Sequence, residues 1–380
     1  MLFKLICSVL VIVGMQVPAS AGSDETHLFP ITEFVGVFPQ GGVKGGFIDE
    51  KGTVVMAPTG EIMPPVPHGS DAYFVEGLQP VSVQLKSIYP PLSWGYLDTK
   101  CQFAIKPQFE GASPFSEGLA SVSEKVVPWK RGYIDHTGKF VIPPQFRDAG
   151  PFHDGLALVR KEDDVRAGFI DKNGRWVVPP TYPAASNFSE GLASVGRPIK
   201  EPAEPTPPSE NPSELSWGYI DKTGAVVIDF KFKSPSEFSE ELAAINDDGA
   251  CGYIDKSGRY AIEPRFRMGW SFSEGLARVV TKEKGMAYID KKGEIVFSVP
   301  QVSWADPFSE GLANAAVPGN PHGRLYGFLD HTGTFVIKPQ FPQAAPFRNG
   351  LALVTLGDEY GYIDKSGNFV WKSKVPAWPK

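Results

Sequence analysis

Residues 132–146 read Gly-Tyr-Ile-Asp-His-Thr-Gly-Lys-Phe-Val-Ile-Pro-Pro-Gln-Phe, and this stretch decides the fold. Two short apolar segments, 132–134 and 140–142, stand on either side of Asp-His-Thr-Gly. An aspartate followed three residues later by glycine fits a type I turn that is closed by a residue with positive φ. The carboxylate can accept backbone N–H groups within the turn, and glycine adopts positive φ without a steric penalty. The stretch therefore predicts a β-hairpin.

The same hairpin phrase recurs nine times, which predicts a tandem repeat. Its aspartates are Asp49, Asp98, Asp135, Asp171, Asp221, Asp255, Asp290, Asp330 and Asp364. In the most regular copies, the residues that we predict to be structural turn residues are Asp135 and Gly138, Asp171 and Gly174, Asp221 and Gly224, Asp255 and Gly258, Asp330 and Gly333, and Asp364 and Gly367.

A second phrase, Phe-Ser-Glu-Gly-Leu-Ala, alternates with the first and occurs eight times with some drift. Its copies begin at Phe74, Phe115, Phe152, Phe188, Phe238, Phe272, Phe308 and Phe347. The step from the aspartate to the next phenylalanine is 17 residues in six copies, whereas the step back to the next aspartate varies from 17 to 33. The constant segment predicts packing at both ends, and the variable segment predicts surface loops that share one face of the array.

Each repeat reads as about three short antiparallel strands with apolar residues on both faces. A sheet with one solvated face would alternate apolar with polar residues, so these small sheets are expected to stack face to face. We predict an all-β protein in which the repeats form a curved open or spiral array. A closed β-propeller-like ring is the alternative. The open array is preferred because nine repeats exceed the usual 4–8 blades of a propeller and neither end obviously donates a strand to the other.

The composition agrees with abundant turns and excludes some classes of protein. The chain of 380 residues contains 40 Gly and 36 Pro, and its formal net charge is −6. Glycine and proline disfavour helices, so a helical protein is excluded. The acidic balance argues against a nucleic-acid partner, which requires a basic face.

The first 21 residues have the pattern of a secretory signal peptide. Lys4 precedes the apolar run 5–13, and Ala19-Ser20-Ala21 is a small-residue cleavage site, so cleavage is expected after Ala21. The mature chain would then be residues 22–380, secreted or periplasmic, without a transmembrane span. Within it, the segment 197–216 is rich in proline and glutamate, which predicts an extended, mobile loop or a docking segment for a partner.

At Trp94-Gly95-Tyr96-Leu97-Asp98 and Trp217-Gly218-Tyr219-Ile220-Asp221 the chain resembles the WG-repeat family. The resemblance extends over nearly all of the mature chain, although other copies replace the tryptophan, for instance with Cys251. It implies bacterial β-rich repeats without an established activity. The resemblance therefore transfers no catalytic residues and strengthens the expected fold more than any function.

No catalytic, cofactor-binding or metal-binding residues are predicted. The candidate contact residues are the acids of the second phrase, which stacked repeats would align in a row: Glu117, Glu190, Glu240, Glu274 and Glu310. Two interpretations stay open for this row, a local cap on the turn or a row that faces a partner. His136 and His331 replace lysines of other copies and are expected to be exposed rather than ligating.

The two cysteines of the mature chain are not expected to form a disulfide, because they lie four repeats apart. Cys101 stands where other copies have the turn glycine, which predicts either a rebuilt turn or local strain.

The function favoured by these observations is an exported, non-catalytic binding scaffold for a protein or an envelope polymer, without a cofactor. Two alternatives remain, an enzyme whose site is built from loops at one end of the array, and a structural protein of the envelope.

Overall fold

The computed structural model describes residues 27–35, 42–60, 62–63, 74–83, 93–124, 130–199, 215–283, 285–319 and 323–374. The predicted signal peptide and most of the predicted 197–216 loop lie outside these residues. Regular structure within the described ranges consists of β-strands, and they contain no helix long and apolar enough to cross a membrane.

The strands, in chain order, are β1 Phe29–Val35, β2 Gly42–Ile48, β3 Val54–Thr59, β4 Ile62–Met63, β5 Leu78–Val83, β6 Ser93–Asp98, β7 Phe103–Phe109, β8 Gly111–Ala112, β9 Ala120–Ser123, β10 Arg131–Ile134, β11 Phe140–His153, β12 Leu156–Lys161, β13 Ala167–Ile170, β14 Trp176–Tyr182, β15 Ala184–Ala185, β16 Leu192–Pro198, β17 Leu215–Asp221, β18 Val226–Phe232, β19 Ala243–Asp247, β20 Ala250–Ile254, β21 Tyr260–Phe266, β22 Met268–Ser273, β23 Leu276–Thr281, β24 Gly285–Ile289, β25 Ile295–Ser298, β26 Trp304–Ala305, β27 Ala313–Pro318, β28 Arg324–Leu329, β29 Phe335–Phe341, β30 Gln343–Ala344, β31 Ala352–Leu356, β32 Glu359–Ile363 and β33 Phe369–Lys374.

These strands form small antiparallel sheets, which we call blades. Blade 1 is β1–β3, blade 2 is β4–β7, blade 5 is β15–β18, blade 6 is β19–β21, blade 7 is β22–β25, blade 8 is β26–β29 and blade 9 is β30–β33. Blades 3 and 4 share the long strand β11. It is the last strand of blade 3, which is β8–β11, and the first strand of blade 4, which is β11–β14. The predicted three strands per repeat are present, and most blades add a short strand before the second phrase.

The Trp-Gly glycine has a structural reason in every blade that carries it. In blade 3, Arg131 pairs with Phe146 and Tyr133 pairs with Ile142. A step of two residues along β10 therefore corresponds to a step of four residues along β11. The extra residues include Pro143 and Pro144 and arch over Gly132, where an added Cβ would lie 2.5 Å from the carbonyl oxygen of Ile142. The same approach occurs in the other blades, at Gly46, Gly95, Gly168, Gly218, Gly252, Gly327 and Gly361.

The hydrophobic core lies between blades rather than within them. Tyr133, Ile142 and Phe146 of blade 3, for example, pack against Phe152 and Ala157 of blade 4. Within the described residues there are nine such clusters, and each joins two neighbouring blades. A single blade therefore has no core of its own, as expected for repeat proteins.

A buried tyrosine strengthens most of these junctions. The hydroxyl group of Tyr133 donates to the carbonyl oxygen of Gly150 in the next blade at 2.7 Å, and the ring of Tyr133 meets Phe152 edge-on. The equivalent bonds run from Tyr96 to Ser113, from Tyr219 to Ser236, from Tyr253 to Trp270 and from Tyr288 to Asp306. The bond satisfies the one polar atom of a side chain that is otherwise fully apolar and buried.

The ninth cluster joins the last blade to the first and closes the ring. Tyr362 of blade 9 donates to the carbonyl oxygen of Pro30 at 2.8 Å, and Tyr360 shares a hydrogen bond of 3.0 Å with Thr32. Nine blades in an open array would have eight junctions. Of the two predicted arrangements, the structure therefore shows the closed propeller-like ring, and the preference for an open or spiral array is wrong. The reason is that both end blades present the same apolar faces as the internal ones.

Closure uses a different residue for the same contact. Phe29 pairs with Ile48, the register position that Ala120 and Ala157 hold in blades 3 and 4. Its ring meets Tyr362 at a centroid distance of 5.3 Å, the contact that a phrase phenylalanine makes elsewhere. Blade 1 has no copy of the second phrase, so a large side chain on the strand replaces the missing phenylalanine.

Candidate interaction surface

The second phrase links each blade to the next at one end of the ring, which we call the turn face. In blade 3, the hydroxyl group of Ser116 donates to the carbonyl oxygen of Phe152 in blade 4 at 2.6 Å. The carboxylate of Glu117 accepts the backbone N–H of Gly155 at 3.0 Å and pairs with the ammonium group of Lys172 at 3.1 Å. Three bonds from two adjacent residues thus cross a single blade junction.

The other predicted row residues make the same connections. Their partners in the next blade are the backbone N–H of Glu241 and the side chain of Lys256 for Glu190, Gly275 and Lys291 for Glu240, Gly311 and His331 for Glu274, and Gly350 and Lys365 for Glu310. The five residues have φ between 52° and 55°, the left-handed region, which directs each side chain toward the following blade.

The structure thus places the five glutamates on the turn face, where each carboxylate binds groups of the next blade. The carboxylates cap a turn, as one interpretation expected, but the turn belongs to the next blade rather than to their own. In the last copy, Arg348 and Asn349 replace Ser-Glu, at the one junction where the following blade has no such turn to hold. Contact of the row with a partner stays a prediction.

The predicted turn aspartates cap their own hairpins. One carboxylate oxygen of Asp135 accepts the backbone N–H groups of Thr137 and Lys139 and the hydroxyl group of Thr137. The pKa is lowered in four such carboxyls: Asp135, Asp221, Asp255 and Asp330. The largest cause is the hydrogen bond from the hydroxyl group two residues later in the turn, and the backbone N–H groups of the turn add to it. The cause is hydrogen bonding to the charged form, which disfavours protonation.

These pKa shifts predict acid sensitivity of the fold. Because the folded-state pKa of each of the four carboxyls lies below the unfolded value of about 4, their stabilisation is complete above that value. It is lost as the pH falls through the lower folded values. We expect the thermal unfolding midpoint of the wild type to fall more steeply between about pH 5 and pH 2 than that of D135N/D221N/D255N/D330N. Asp163→Asn in an exposed loop is the control, and an unchanged acid slope in the quadruple variant would contradict the assignment.

His136 and His331 are exposed, as predicted, and each stacks with one ring face on a phenylalanine at a blade junction. His136 stacks on Phe115 with ring centroids 4.3 Å apart, and its Nε2 atom lies 3.0 Å from a carboxylate oxygen of Glu76. His331 repeats this arrangement with Phe308 and Glu274. The two histidines therefore take the place of the lysines in the links between blades.

Cys101 adopts a φ of 57° and keeps the hairpin turn, so local strain rather than a rebuilt turn is observed. Cys101 and Cys251 are free thiols. Burial raises the pKa of the Cys101 thiol to about 11 and that of Cys251 to about 12. Both are therefore protonated at neutral pH and poor nucleophiles.

The opposite end of the ring, which we call the loop face, carries the variable connections. Antiparallel pairing places the connection between the strand that follows the second phrase and the strand that carries the Trp-Gly position at this end, away from both kinds of turn. The described loops here include 162–166, where Arg166 binds the carboxylate of Asp164 through two nitrogens. A cleft of about 400 Å³ beside this loop is lined by Lys130, Phe146 and Glu162 among others.

Sequence analysis missed one unusual group of side chains. Trp270 and Trp304 lie on the short first strands of blades 7 and 8, where most copies have glycine, alanine or serine. Between the two indoles lies Arg278, which is buried although the equivalent positions hold small or uncharged residues. The sequence signal for this group is the departure of these residues from the repeat pattern, whereas the predicted site residues are those that the repeats share.

Comparison with solved structures gives distant similarities only. BamB from Moraxella catarrhalis has 12% sequence identity, covers 81% of this chain and 94% of its own, and has a TM-score of 0.38. The uncharacterized protein lmo1340 from Listeria monocytogenes EGD-e has 13% identity, covers 70% of this chain and 93% of its own, and has a TM-score of 0.39. No curated protein sequence gives a significant match.

The comparison with protein families is decisive for the repeat. The pattern described as WG containing repeat matches seven segments: residues 94–125, 132–163, 168–196, 217–249, 252–284, 286–316 and 326–360. Each segment begins near the Trp-Gly position and runs through the second phrase into the loop face. Together the segments span more than half of the sequence, and the chain belongs to the family of proteins with WG containing repeats.

Proposed function

We propose that this protein is an exported, non-catalytic interaction scaffold that binds a protein or an envelope polymer through its loop face. The observation that carries the proposal is the contrast between the two ends of the ring. The turn face is built from repeated residues whose polar groups bind the next blade. The loop face is built from connections that differ in length and sequence from blade to blade.

This contrast fits the way in which repeat proteins separate stability from recognition. Residues that join neighbouring blades must recur, because every junction has the same geometry, whereas a binding face needs only a rigid support. The side chains at the described loop tips, such as Asp163 and Lys282, are exposed and differ from one loop to the next. A broad surface of this kind suits a large partner.

The binding experiment blocks one face at a time. The mature chain with Asp163→Cys or Asp358→Cys carries a bulky maleimide polymer on the loop face, and Glu294→Cys carries it on the turn face as the matched control. The native thiols, half-buried at Cys101 and buried at Cys251, are protonated at neutral pH and react slowly. Binding to fractionated envelope proteins and to purified envelope polymer is measured by saturation.

We expect saturable binding of one fraction to be lost with the polymer on the loop face and kept with the polymer on the turn face. Loss from the turn face alone, or no saturable binding of either fraction, would refute the proposal. Export is tested separately, by expressing the full chain and sequencing the N-terminus of the exported protein, which is expected to begin at Gly22.

A further inference from the structure

Arg278 lies between two tryptophans at the junction of blades 7 and 8. Its guanidinium carbon is 3.8 Å from the ring centroid of Trp270 and 4.8 Å from that of Trp304. Arg324 lies near the Trp304 ring as well, at 6.0 Å. The side chains thus form one stack, Trp270, Arg278, Trp304 and Arg324, which alternates aromatic and cationic groups.

The charge of Arg278 is buried without a salt bridge among the described residues. The residue is only 5% exposed, and its Nε and Nη1 atoms have no hydrogen-bond acceptor. Burial lowers the pKa of Arg278, yet a guanidinium stays protonated at neutral pH. Stacking on two indoles offsets part of the desolvation penalty, but a stacked guanidinium still has its in-plane N–H donors to satisfy.

No carboxylate in the described structure meets these donors. Asp306 favours the charged form of Arg278 electrostatically, but its Oδ1 atom accepts the indole N–H of Trp304 at 3.1 Å. Neither Arg278 nor Arg324 belongs to an ion pair among the described residues. Other buried polar side chains near blade junctions mostly bind carbonyl oxygens across the junction, as Asn314 does with Ala344.

We propose that Arg278, Arg324 and the two indoles form a binding site for a small organic carboxylate. A carboxylate matches the planar fork of a guanidinium and can accept two of its N–H groups at once. The indoles, which are both partly exposed, offer apolar surface to the carbon skeleton of the ligand. Phosphate can pair with a guanidinium in the same way, but inorganic phosphate has no apolar part to lie against the two indoles, so an organic carboxylate is favoured.

The test uses the mature full-length protein, with benzoate and glucuronate as two carboxylates on different skeletons. Isothermal titration measures binding, and glucose, inorganic phosphate and an acidic tetrapeptide are the comparison ligands. Arg278→Met removes the charge and keeps much of the side-chain length, Arg278→Lys keeps the charge without the fork, and Arg259→Met is an exposed control. Thermal unfolding is recorded for every variant.

We expect wild type to bind benzoate or glucuronate and not glucose, and Arg278→Met to weaken that binding at least tenfold. Arg278→Met is expected to unfold at the same or a higher temperature, because it removes an uncompensated buried charge. Arg259→Met is expected to change neither quantity. If Arg278→Met fails to fold, Arg324→Gln provides the second test, with a smaller loss of binding.

The proposal is overturned if wild type binds neither carboxylate, or if Arg278→Met binds as wild type does. It is also overturned if only phosphate or the acidic peptide binds, since the site would then recognise a different chemistry. A large fall in unfolding temperature for Arg278→Met, together with unchanged binding, would assign the arginine to packing alone.

Discussion

Gly132→Ala is expected to lower the free energy of unfolding by about 3 kcal/mol, at the upper end of overpacking effects. The added Cβ would lie 2.5 Å from the carbonyl oxygen of Ile142 and 2.7 Å from the backbone nitrogen of Pro144. Both atoms belong to the arch of β11, which the prolines stiffen, so the clash cannot be relieved by rotating a side chain. Denaturant unfolding followed by circular dichroism measures the loss.

Gly155→Ala is the matched control for this prediction. Gly155 has a φ of 85°, but an added Cβ would meet no atom within 4 Å. Its substitution is expected to lower the free energy of unfolding by about 1 kcal/mol, the penalty of a left-handed backbone alone. Equal losses in the two variants would show that backbone conformation, and not the close approach of β11, explains the Trp-Gly glycine.

Phe29→Ala is expected to lower the free energy of unfolding by about 3–5 kcal/mol, the usual range for a buried phenylalanine. Phe29 is fully buried at the junction of blades 1 and 9, between Tyr362 and Ile31 among others. The substitution leaves a cavity there and removes the ring contact with Tyr362. Stability is measured by denaturant unfolding, and opening of the ring by hydrogen exchange of the amides of β1 and β33.

The control is Phe140→Ala, whose side chain is 37% exposed on the outer strand of blade 3. A much smaller loss is expected there, because little apolar surface leaves water at that position. In an open array Phe29 would be solvated, and its truncation would change stability by less than about 0.5 kcal/mol. A value that small would overturn the closed ring.

The junction between blades 9 and 1 differs from the seven junctions between blade 2 and blade 9 in how it is held. It keeps the buried tyrosine and the apolar cluster, but its phrase carries Asn349 in place of the acidic residue that accepts an N–H of the next blade. The phrase at residues 347–352 carries Arg348 and Asn349 because blade 1 presents no matching turn. Closure of the ring thus depends on apolar packing and on the hydrogen bond of Tyr362. The number of repeats does not reveal either contact.

Several predicted elements were confirmed because they depend on local chemistry. The Asp-x-x-Gly hairpins occur where predicted, since the turn is specified by residues that lie next to one another in the chain. The two-residue strands such as β8 were missed, because Gly111 and Ala112 have no pattern of their own. The start of strand β1 at Phe29 was not predicted, because this copy lacks the phrase that marks the position in other blades.

The candidate sites show the same division. The acidic row was found from its repetition, but its bonds to the next blade could be seen only once the blades were adjacent. The Arg278 stack joins residues from four strands of two blades, and along the chain each of these residues looks like an isolated exception. Residues that depart from a repeat become a group only through their positions in space.

By itself, the sequence determined the all-β fold, the repeating unit and the family, because turns and alternating apolar residues act over a few positions. Only the tertiary structure decided that the array closes, that the glutamates hold neighbouring blades together, and that a charged arginine is buried between two indoles. These features depend on contacts between different blades, from Arg278 and Trp304 in neighbouring blades to Tyr362 and Pro30, which are more than 300 positions apart in the chain. Such contacts form only when all the blades have packed face to face around the ring, and the sequence of a single repeat does not specify that arrangement.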